Sequence, residues 1–368
     1  MIAGFLFSGL LALFLGIQLY LWWIWKKEDS QPEMPYDGIF PDVTLLIPVR
    51  NEEANISRCL RSVVDQKYPA SNLQVIVVND HSHDNTAAIV REYKDVELLE
   101  LPEGSEGKKM GIQYGMQRAR GEVIMTLDGD CEVGEDWVRS MVWGMGPNSL
   151  ALTTGPVWMI PERSSFIEKY QEWEQAALNV LTYSGLKTGL IISASGANLA
   201  YPKSLFTEQN PYRDNIHIPS GDDVFLVHNV HSKGGEVRYT RRHEAIVYTN
   251  PEVSFPRFIS QRIRWAGKSS GYSHLLTRLY LTLFAVVNVS FVILIIGGLW
   301  YPVLYSFLLV GFLAKFLTDY LIIHTGMQWG QRSICWQDAL KASLFQVFYV
   351  HYVAGMMILG RDNQWKGR

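Results

Sequence analysis

Val43-Thr44-Leu45-Leu46-Ile47-Pro48-Val49 is a short apolar run rich in β-formers, and Arg50-Asn51-Glu52-Glu53 follows it before an amphipathic stretch that reaches Gln66. Ile56, Leu60, Val63 and Val64 fall on one face of that stretch, so the segment reads as a strand feeding a helix. The unit recurs downstream. Residues 73–78 read as a strand, 84–93 as a helix, 96–101 as a strand, 108–118 as a helix and 122–127 as a strand. Repeated units of this kind with apolar strands predict an α/β domain whose parallel sheet is covered on both faces. Ligands bind such sheets beyond the carboxyl ends of the strands, so the residues just after each strand become the candidates for chemistry.

After the first strand and its Arg50-Asn51-Glu52, those ends read Asn79-Asp80-His81-Ser82-His83-Asp84, Gly107-Lys108-Lys109 and Asp128-Gly129-Asp130. No G-x-G-x-x-G follows the first strand and no G-x-x-x-x-G-K-[ST] is present, so neither a dinucleotide fold nor a P-loop is supported. Two carboxylates one residue apart at a strand terminus offer hard oxygen ligands to Mg²⁺ or Mn²⁺, with open positions for phosphate oxygens. Gly129 between them lets the backbone turn sharply and a ligand come close. Alone, Asp-Gly-Asp is more often a turn; in order after Asp80 and Lys108 it points to a metal and phosphate site.

The flanks are of a different kind. The chain has 368 residues, 48% hydrophobic and 19% charged, with a net charge of −3; the charges gather in the middle and the ends are almost free of them. Such a chain is neither wholly disordered nor purely soluble, and without a global basic field no nucleic-acid partner is expected. Cys59, Cys131 and Cys335 lie far apart with no C-x-x-C spacing, which argues against a disulfide framework or a thiolate zinc site and for a reducing, cytoplasmic catalytic face.

Residues 2–25 carry no charge, and about 20 apolar residues suffice to cross a hydrocarbon core of about 30 Å. The run is too long for a signal-peptide core and lacks a basic segment before it, so residues 1–27 are expected to form a membrane helix. Trp22, Trp23 and Trp25 form an aromatic belt, and Lys26 and Lys27 put the following segment in the cytoplasm. Residues 279–300 and 302–323 read as a helical hairpin turned at Trp300-Tyr301-Pro302. A third stretch, 338–360, holds Lys341, Gln346 and His351 and reads either as crossing or as interfacial, which leaves the side of Arg361, Lys366 and Arg368 open. Residues 279–360 are thus expected to form a C-terminal membrane bundle. Lys315 and Asp319, four apart in its second helix, are expected to pair with each other or with a partner helix.

Taken together, the middle of the chain resembles the inverting glycosyltransferases of family 2 with the GT-A fold, in particular the membrane-embedded branch that includes cellulose, hyaluronan and chitin synthases and ceramide glucosyltransferase. The resemblance covers about residues 42 to 268 and is carried by Pro48-Val49-Arg50-Asn51-Glu52, by the run from Val78 through Asp80 to Thr86, by Gly107-Lys108 and by Asp128-Gly129-Asp130. Gly221-Asp222-Asp223 and Gln261-Arg262-Ile263-Arg264-Trp265, the family's Q-x-x-R-W, complete it. It implies a GT-A domain with a Rossmann-like mixed sheet over 42–250, on the cytoplasmic side of the cytoplasmic membrane, followed by an interfacial amphipathic segment over 251–275. Mg²⁺ or Mn²⁺ as cofactor, a nucleotide sugar such as a UDP-sugar as donor, a lipid or polysaccharide acceptor and partners in a membrane complex are implied with it.

By position, Pro48, Arg50, Glu52, Asp80, Lys108, Asp128 and Arg264 fall on the donor side. Asp80 matches the second acidic residue of the family's D-D-x-S motif, which holds the uridine, and Asn79 stands where the family has the first. Lys108 matches the lysine that meets the nucleotide, with Lys109 beside it as a substitute. Asp128 and Asp130 match the metal motif, Asp130 as the direct ligand. Gly221-Asp222-Asp223 is similar to the family's G-E-D or T-E-D, whose final aspartate makes Asp223 the catalytic base; Asp222, Gln261 and Trp265 fall on the acceptor side. Gly196-Ala197-Asn198-Leu199 is similar to the segment that comes near the donor sugar.

Such a set suits the chemistry. A departing diphosphate needs cations as its charge develops, and an acceptor hydroxyl needs a carboxylate within about 3 Å to take its proton. A guanidinium such as Arg264 bridges diphosphate oxygens, and an aromatic face such as Trp265 covers a sugar. Plainer roles suit some of the same residues. Asp222-Asp223 also fits a helix N-terminus and Asp84 a cap. His228 and His231 have no third ligand in sequence and read as structural. Phe255, Phe258, Ile259, Arg262 and Trp265 recur at the spacing of a basic interfacial helix, and 166–190 reads as a helix that packs on the sheet or walls an acceptor channel. A phosphosugar or nucleotidyl transferase and a non-catalytic sugar-nucleotide-binding subunit of an envelope complex are the rival classes.

Overall fold

A computed structural model describes residues 2–27, 40–146, 151–163, 165–209, 212 and 221–359. Helix α1 (Ile2–Lys27) precedes the expected run: β1 (Val43–Val49), α2 (Ile56–Val64), β2 (Leu73–Asn79), α3 (Thr86–Val90), β3 (Val96–Glu100), α4 (Lys108–Met116) and β4 (Val123–Thr126). Then come β5 (Glu132–Val133), α5 (Trp137–Gly144), β6 (Leu152–Thr154), β7 (Val157–Met159), α6 (Phe166–Thr188), β8 (Leu199–Pro202) and α7 (Lys203–Gln209). The domain closes with α8 (Asp222–Ser232), β9 (Val237–Tyr239), β10 (Val247–Thr249) and α9 (Phe255–Gly267), and α10 (Leu275–Gly298), α11 (Leu304–Trp329) and α12 (Trp336–Ile358) follow.

Every residue of β1 is buried because successive side chains point to opposite faces and both faces are covered. Leu45 and Ile47 pack with Ile56, Leu60 and Val63 of α2, whereas Leu46 packs with Ile112 and Met116 of α4. The main sheet has seven strands in the order β3-β2-β1-β4-β8-β6-β9. Strands β1 to β4 are parallel, as their pattern predicts, but β8 runs antiparallel to both β4 and β6. The sheet is therefore mixed, as the GT-A resemblance implies and the strand pattern alone does not. Because β8 is antiparallel, its leading end meets the carboxyl end of β4, where the Thr126 hydroxyl donates to the Gly196 carbonyl at 2.9 Å. A second, three-stranded sheet has the order β5-β10-β7.

Three helices, α1, α10 and α11, are long and apolar enough to cross a membrane. Helix α6 is their platform rather than only a cover for the sheet. Its Val180 and Tyr183 pack with Trp25 of α1 and Ile322 of α11, while Asn179 donates to the Val157 carbonyl of β7 at 2.9 Å. Arg241 closes the end of α1: a guanidinium nitrogen donates to the Trp25 carbonyl at 2.8 Å and the guanidinium carbon lies 3.6 Å from the centre of a Trp25 ring. A cation at a helix C-terminus offsets the partial negative charge of its last carbonyls. Lys315 and Asp319 do pair, at 2.5 Å, and α12 joins them through Gln346, 2.7 Å from Lys315, and Ser343, 2.9 Å from Asp319. The apolar side of α9 is covered by protein: Phe258, Ile259 and Ile263 pack with Ile323 and Met327 of α11 and Val353 of α12.

Candidate active site

The first turns after β1 and β2 are tightly laced. Asn51 and His81 both adopt positive φ, 51° and 52°, a backbone conformation costly enough for residues other than glycine that it needs support. Here the support is mutual: the Asn51 N–H donates to the Ser82 hydroxyl and the His83 N–H to the Asn51 side-chain oxygen, each at 2.9 Å. Asp84 accepts the N–H of Thr86 at 3.0 Å and that of Glu53 at 3.1 Å, a capping role at the start of α3. Between these turns lies Asp80, buried, with Arg50 Nη1 3.8 Å from Oδ1, His81 Nδ1 at 2.9 Å and the Gly107 N–H donating to Oδ2 at 2.9 Å. Gly107 begins α4 with φ 91°, so the helix N-terminus and Asp80 are fixed together.

Lys108 follows at once and bridges two acids, Asp128 at 2.6 Å and Asp222 at 3.0 Å. Burial opposes its charge, but the two carboxylates outweigh that and hold its ammonium above the ordinary range. Asp222 is pushed up, first by burial and then by Asp223 and Asp128, with Lys108 opposing. Asp222 is turned to Lys108, and Asp223 away from it, because neighbours at the start of α8 diverge by about a quarter turn of a 3.6-residue helix. Asp223 takes the other direction. Its carboxylate meets Lys268 Nζ at 3.1 Å from both oxygens and accepts the N–H of Val224 at 2.7 Å and of Gly196 at 3.3 Å. Burial works against its ionisation, but Lys268, then Lys108, then the Val224 N–H prevail and hold the carboxyl below the usual range.

Lys109 lies over the Phe225 ring at 4.6 Å; burial pushes its ammonium down to about 8, with Asp222 and Asp223 opposing and Lys268 adding to the fall. Glu52 sits beneath the Asp128-Gly129-Asp130 turn: a Cβ at Gly129 would come 2.7 Å from Val49 and 3.4 Å from Glu52, so only glycine lets that turn close down. The Asp130 carboxylate has the Cys131 sulfur 3.4 Å away. Pro48 stays inside β1, 3.3 Å from where a Cβ on Gly111 of α4 would stand.

The sequence-derived residues Arg50, Asp80, Lys108, Asp128, Asp222 and Asp223 thus form one chain of contacts along the carboxyl ends of β1, β2 and β4, with Glu52 below it. Gln261, Arg264 and Trp265 belong to α9, and the side chain that joins this helix region to the cluster is Lys268. Within α9, Arg262 donates to Gln261 and ion-pairs with Glu174, and its guanidinium lies 4.3 Å from Trp265 and 4.5 Å from Phe258 ring centres. Tyr349 of α12 donates to the same Glu174 at 2.5 Å. Lys268 escaped the motif reading; the one available signal for it was its place four residues after Arg264, on the same side of a helix.

His228 is structural, as expected, with Nε2 2.9 Å from the Ile192 carbonyl and Nδ1 accepting the Ser273 N–H at 3.3 Å. Asn198 is also spent on the fold. It accepts from Trp137 Nε1 at 3.0 Å and donates to the Pro156 and Ala245 carbonyls at 2.8 Å each. Asn198→Ala would orphan three buried groups at about 1–3 kcal/mol each, and thermal melting of the detergent-extracted protein should fall accordingly.

The donor set suits a hard divalent cation. Asp128 is the open member of the cluster, 36% exposed against 10% for Asp222, and its counter-charge is already an ammonium. Among the described residues no three His, Cys, Asp or Glu side chains form a ligand set that could hold a metal ion.

An α/β domain with a mixed seven-stranded sheet, acids and lysines gathered at the ends of its parallel strands, and flanking apolar helices has the architecture of the GT-A fold. Mannosyltransferase PcManGT from Pyrobaculum calidifontis, solved with GDP-Man and Mn²⁺, has the same fold: TM-score 0.61 over 98% of this chain and 100% of that one, at 17% identity. Residues 44–208 match the model described as glycosyl transferase family 2. Glycosyltransferase AglE of Haloferax volcanii is 27% identical over 233 residues, 61% of this chain and 71% of AglE. Poly-beta-1,6-N-acetyl-D-glucosamine synthase of Staphylococcus epidermidis is 28% identical over 247 residues, 66% of this chain and 56% of the synthase. The chain therefore spans little more than half the length of the synthase.

Proposed function

We propose that this protein is an inverting glycosyltransferase of the cytoplasmic membrane, its domain on the cytoplasmic side, that moves a sugar from a UDP-sugar to a membrane-associated lipid or polysaccharide acceptor. The observation that carries the reading is the continuity of one run of contacts from Asp80 through Lys108, Asp128 and Asp222 to Asp223 and Lys268. In this reading the donor nucleotide lies along Arg50, Asp80 and the N-terminus of α4, whose backbone N–H groups and Lys108 suit its diphosphate. Asp128 and Asp130 would hold Mg²⁺ or Mn²⁺, which when bound supplies charge stabilisation to the departing diphosphate. Asp223 takes the proton of the acceptor hydroxyl as its oxygen bonds to the anomeric carbon; the bond from that carbon to phosphate breaks on the opposite side, the nucleoside diphosphate keeps the electron pair, and the centre inverts.

A membrane-associated acceptor follows from position: the turn that bears Lys268 leads within a few residues into α10, a helix fit to cross a membrane. The relatives reported above, a glycosyltransferase and a polysaccharide synthase, support the class. The test is to incubate membranes bearing the protein with a panel of labelled nucleotide sugars, then extract lipid and polymer fractions. Label should enter one fraction with stoichiometric nucleoside diphosphate. Release of the monophosphate would favour a phosphosugar transferase, and binding without turnover a non-catalytic subunit. EDTA should reduce incorporation to background, and excess Mg²⁺ or Mn²⁺ should restore it; activity indifferent to the chelator would remove the metal from the proposal.

A further inference from the structure

Lys268 belongs to none of the motifs, yet it touches the group on which the proposed chemistry turns. A carboxylate offers about four lone-pair positions, and those of Asp223 are matched by four contacts: Lys268 on each oxygen, the Val224 N–H on Oδ1 and the Gly196 N–H on Oδ2. In this arrangement nothing is left to accept a proton from an incoming hydroxyl. Two of the donors are backbone groups fixed by α8 and by the turn before β8. Lys268, whose ammonium sits on a flexible stem, is the donor able to withdraw.

We propose that Lys268 is a positioning residue that masks Asp223 until an acceptor displaces it, and so favours sugar transfer over hydrolysis of the donor. The inference rests on the reading of Asp223 as the base. Water is present at about 55 M and would otherwise attack the activated donor whenever the acceptor is absent; excluding such side reactions is a general task of closed sites. A water molecule brings little binding energy with which to displace an ion-paired ammonium, whereas an acceptor bound along α9 brings enough to do so. Lys268 begins the 3₁₀ turn Lys268–Gly271 directly after α9, the helix that bears Gln261, Arg264 and Trp265. Acceptor recognition and the unmasking of the base would thus share one element. In the side reaction, water gives its proton to Asp223, its oxygen bonds to the anomeric carbon, and the nucleoside diphosphate departs with the electron pair.

The experiment uses the full chain in detergent and the labelled UDP-sugar that the panel identifies, without acceptor, and counts free sugar released. Lys268→Met should raise hydrolysis about tenfold, Lys268→Arg should stay near the parent, and adding Asp223→Asn to Lys268→Met should return hydrolysis to the level of Asp223→Asn alone. If Lys268→Met does not elute and melt like the parent, Lys268→Gln takes its place under the same readout. Hydrolysis by the neutral variant no faster than the parent's overturns the proposal; if Asp223→Asn is then inactive in transfer, the base reading survives it. Transfer by Asp223→Asn at the parental rate overturns the base reading itself.

Discussion

Asp223→Asn should lower sugar transfer by about 10³-fold, within the range that a positioned general base contributes, while the dissociation constant for the nucleotide sugar stays within about twofold. The separation of the two effects follows from the way the start of α8 splits its acids. Asp222 meets Lys108, which also meets Asp128, so this group, proposed to face the donor, keeps its charge pattern in the variant. Asp223 meets Lys268 and two backbone N–H groups, one on each oxygen; asparagine keeps an oxygen for one of those N–H groups but has no proton affinity to offer a hydroxyl. Parallel measurement of turnover with labelled donor and of equilibrium donor binding decides the matter. Undiminished turnover would take Asp223 out of its role, and a matching loss of binding would place it on the donor side instead.

Gly326→Leu should dismantle the junction between the domain and its membrane helices. A Cβ at Gly326 of α11 would overlap the backbone carbonyl oxygen of Ala176 in α6 and come 2.7 Å from the carbonyl carbon. Backbone cannot turn aside as a side chain can, so the two helices would have to part. Overpacking by a methyl or two costs about 1–3 kcal/mol where side chains can adjust; a full leucine against main chain should exceed that and remove most folded protein from detergent extracts. The neighbouring contacts would loosen with it, since Trp22 of α1 donates to Thr325 at 2.9 Å and Trp25 packs against Ile322. Gly9→Ala and Gly16→Ala in α1, where an added Cβ meets nothing within 4 Å, should leave extraction and melting unchanged. Equal yields from Gly326→Leu and these controls would refute the close approach of α6 and α11.

The repeated strands and helices from β1 to β4 were legible in the sequence because their signals are local. An apolar run of seven residues makes a buried strand wherever two covered faces await it, and a helix of nine shows its apolar side by spacing alone. The same locality exposed the three long apolar helices, and it put Asp80, Lys108 and Asp128 after the ends of strands. The antiparallel course of β8 was not local: it depends on α6 carrying the chain across, and α6 reads from sequence as one more amphipathic helix, with no sign that α1 and α11 stand on it.

By itself, then, the sequence determined the strand–helix order, the membrane-length helices and the identity of the acids and lysines available for chemistry, all through hydrophobic periodicity and residue type. Only the tertiary structure decided which acid faces which cation. Asp222 and Asp223 are adjacent in the chain, yet one pairs with Lys108, more than a hundred residues earlier, and the other with Lys268, beyond α9. Such pairings are set by the rotation of α8 about its axis and by where β8 and α9 come to rest, and these are properties of packing rather than of any short stretch of chain.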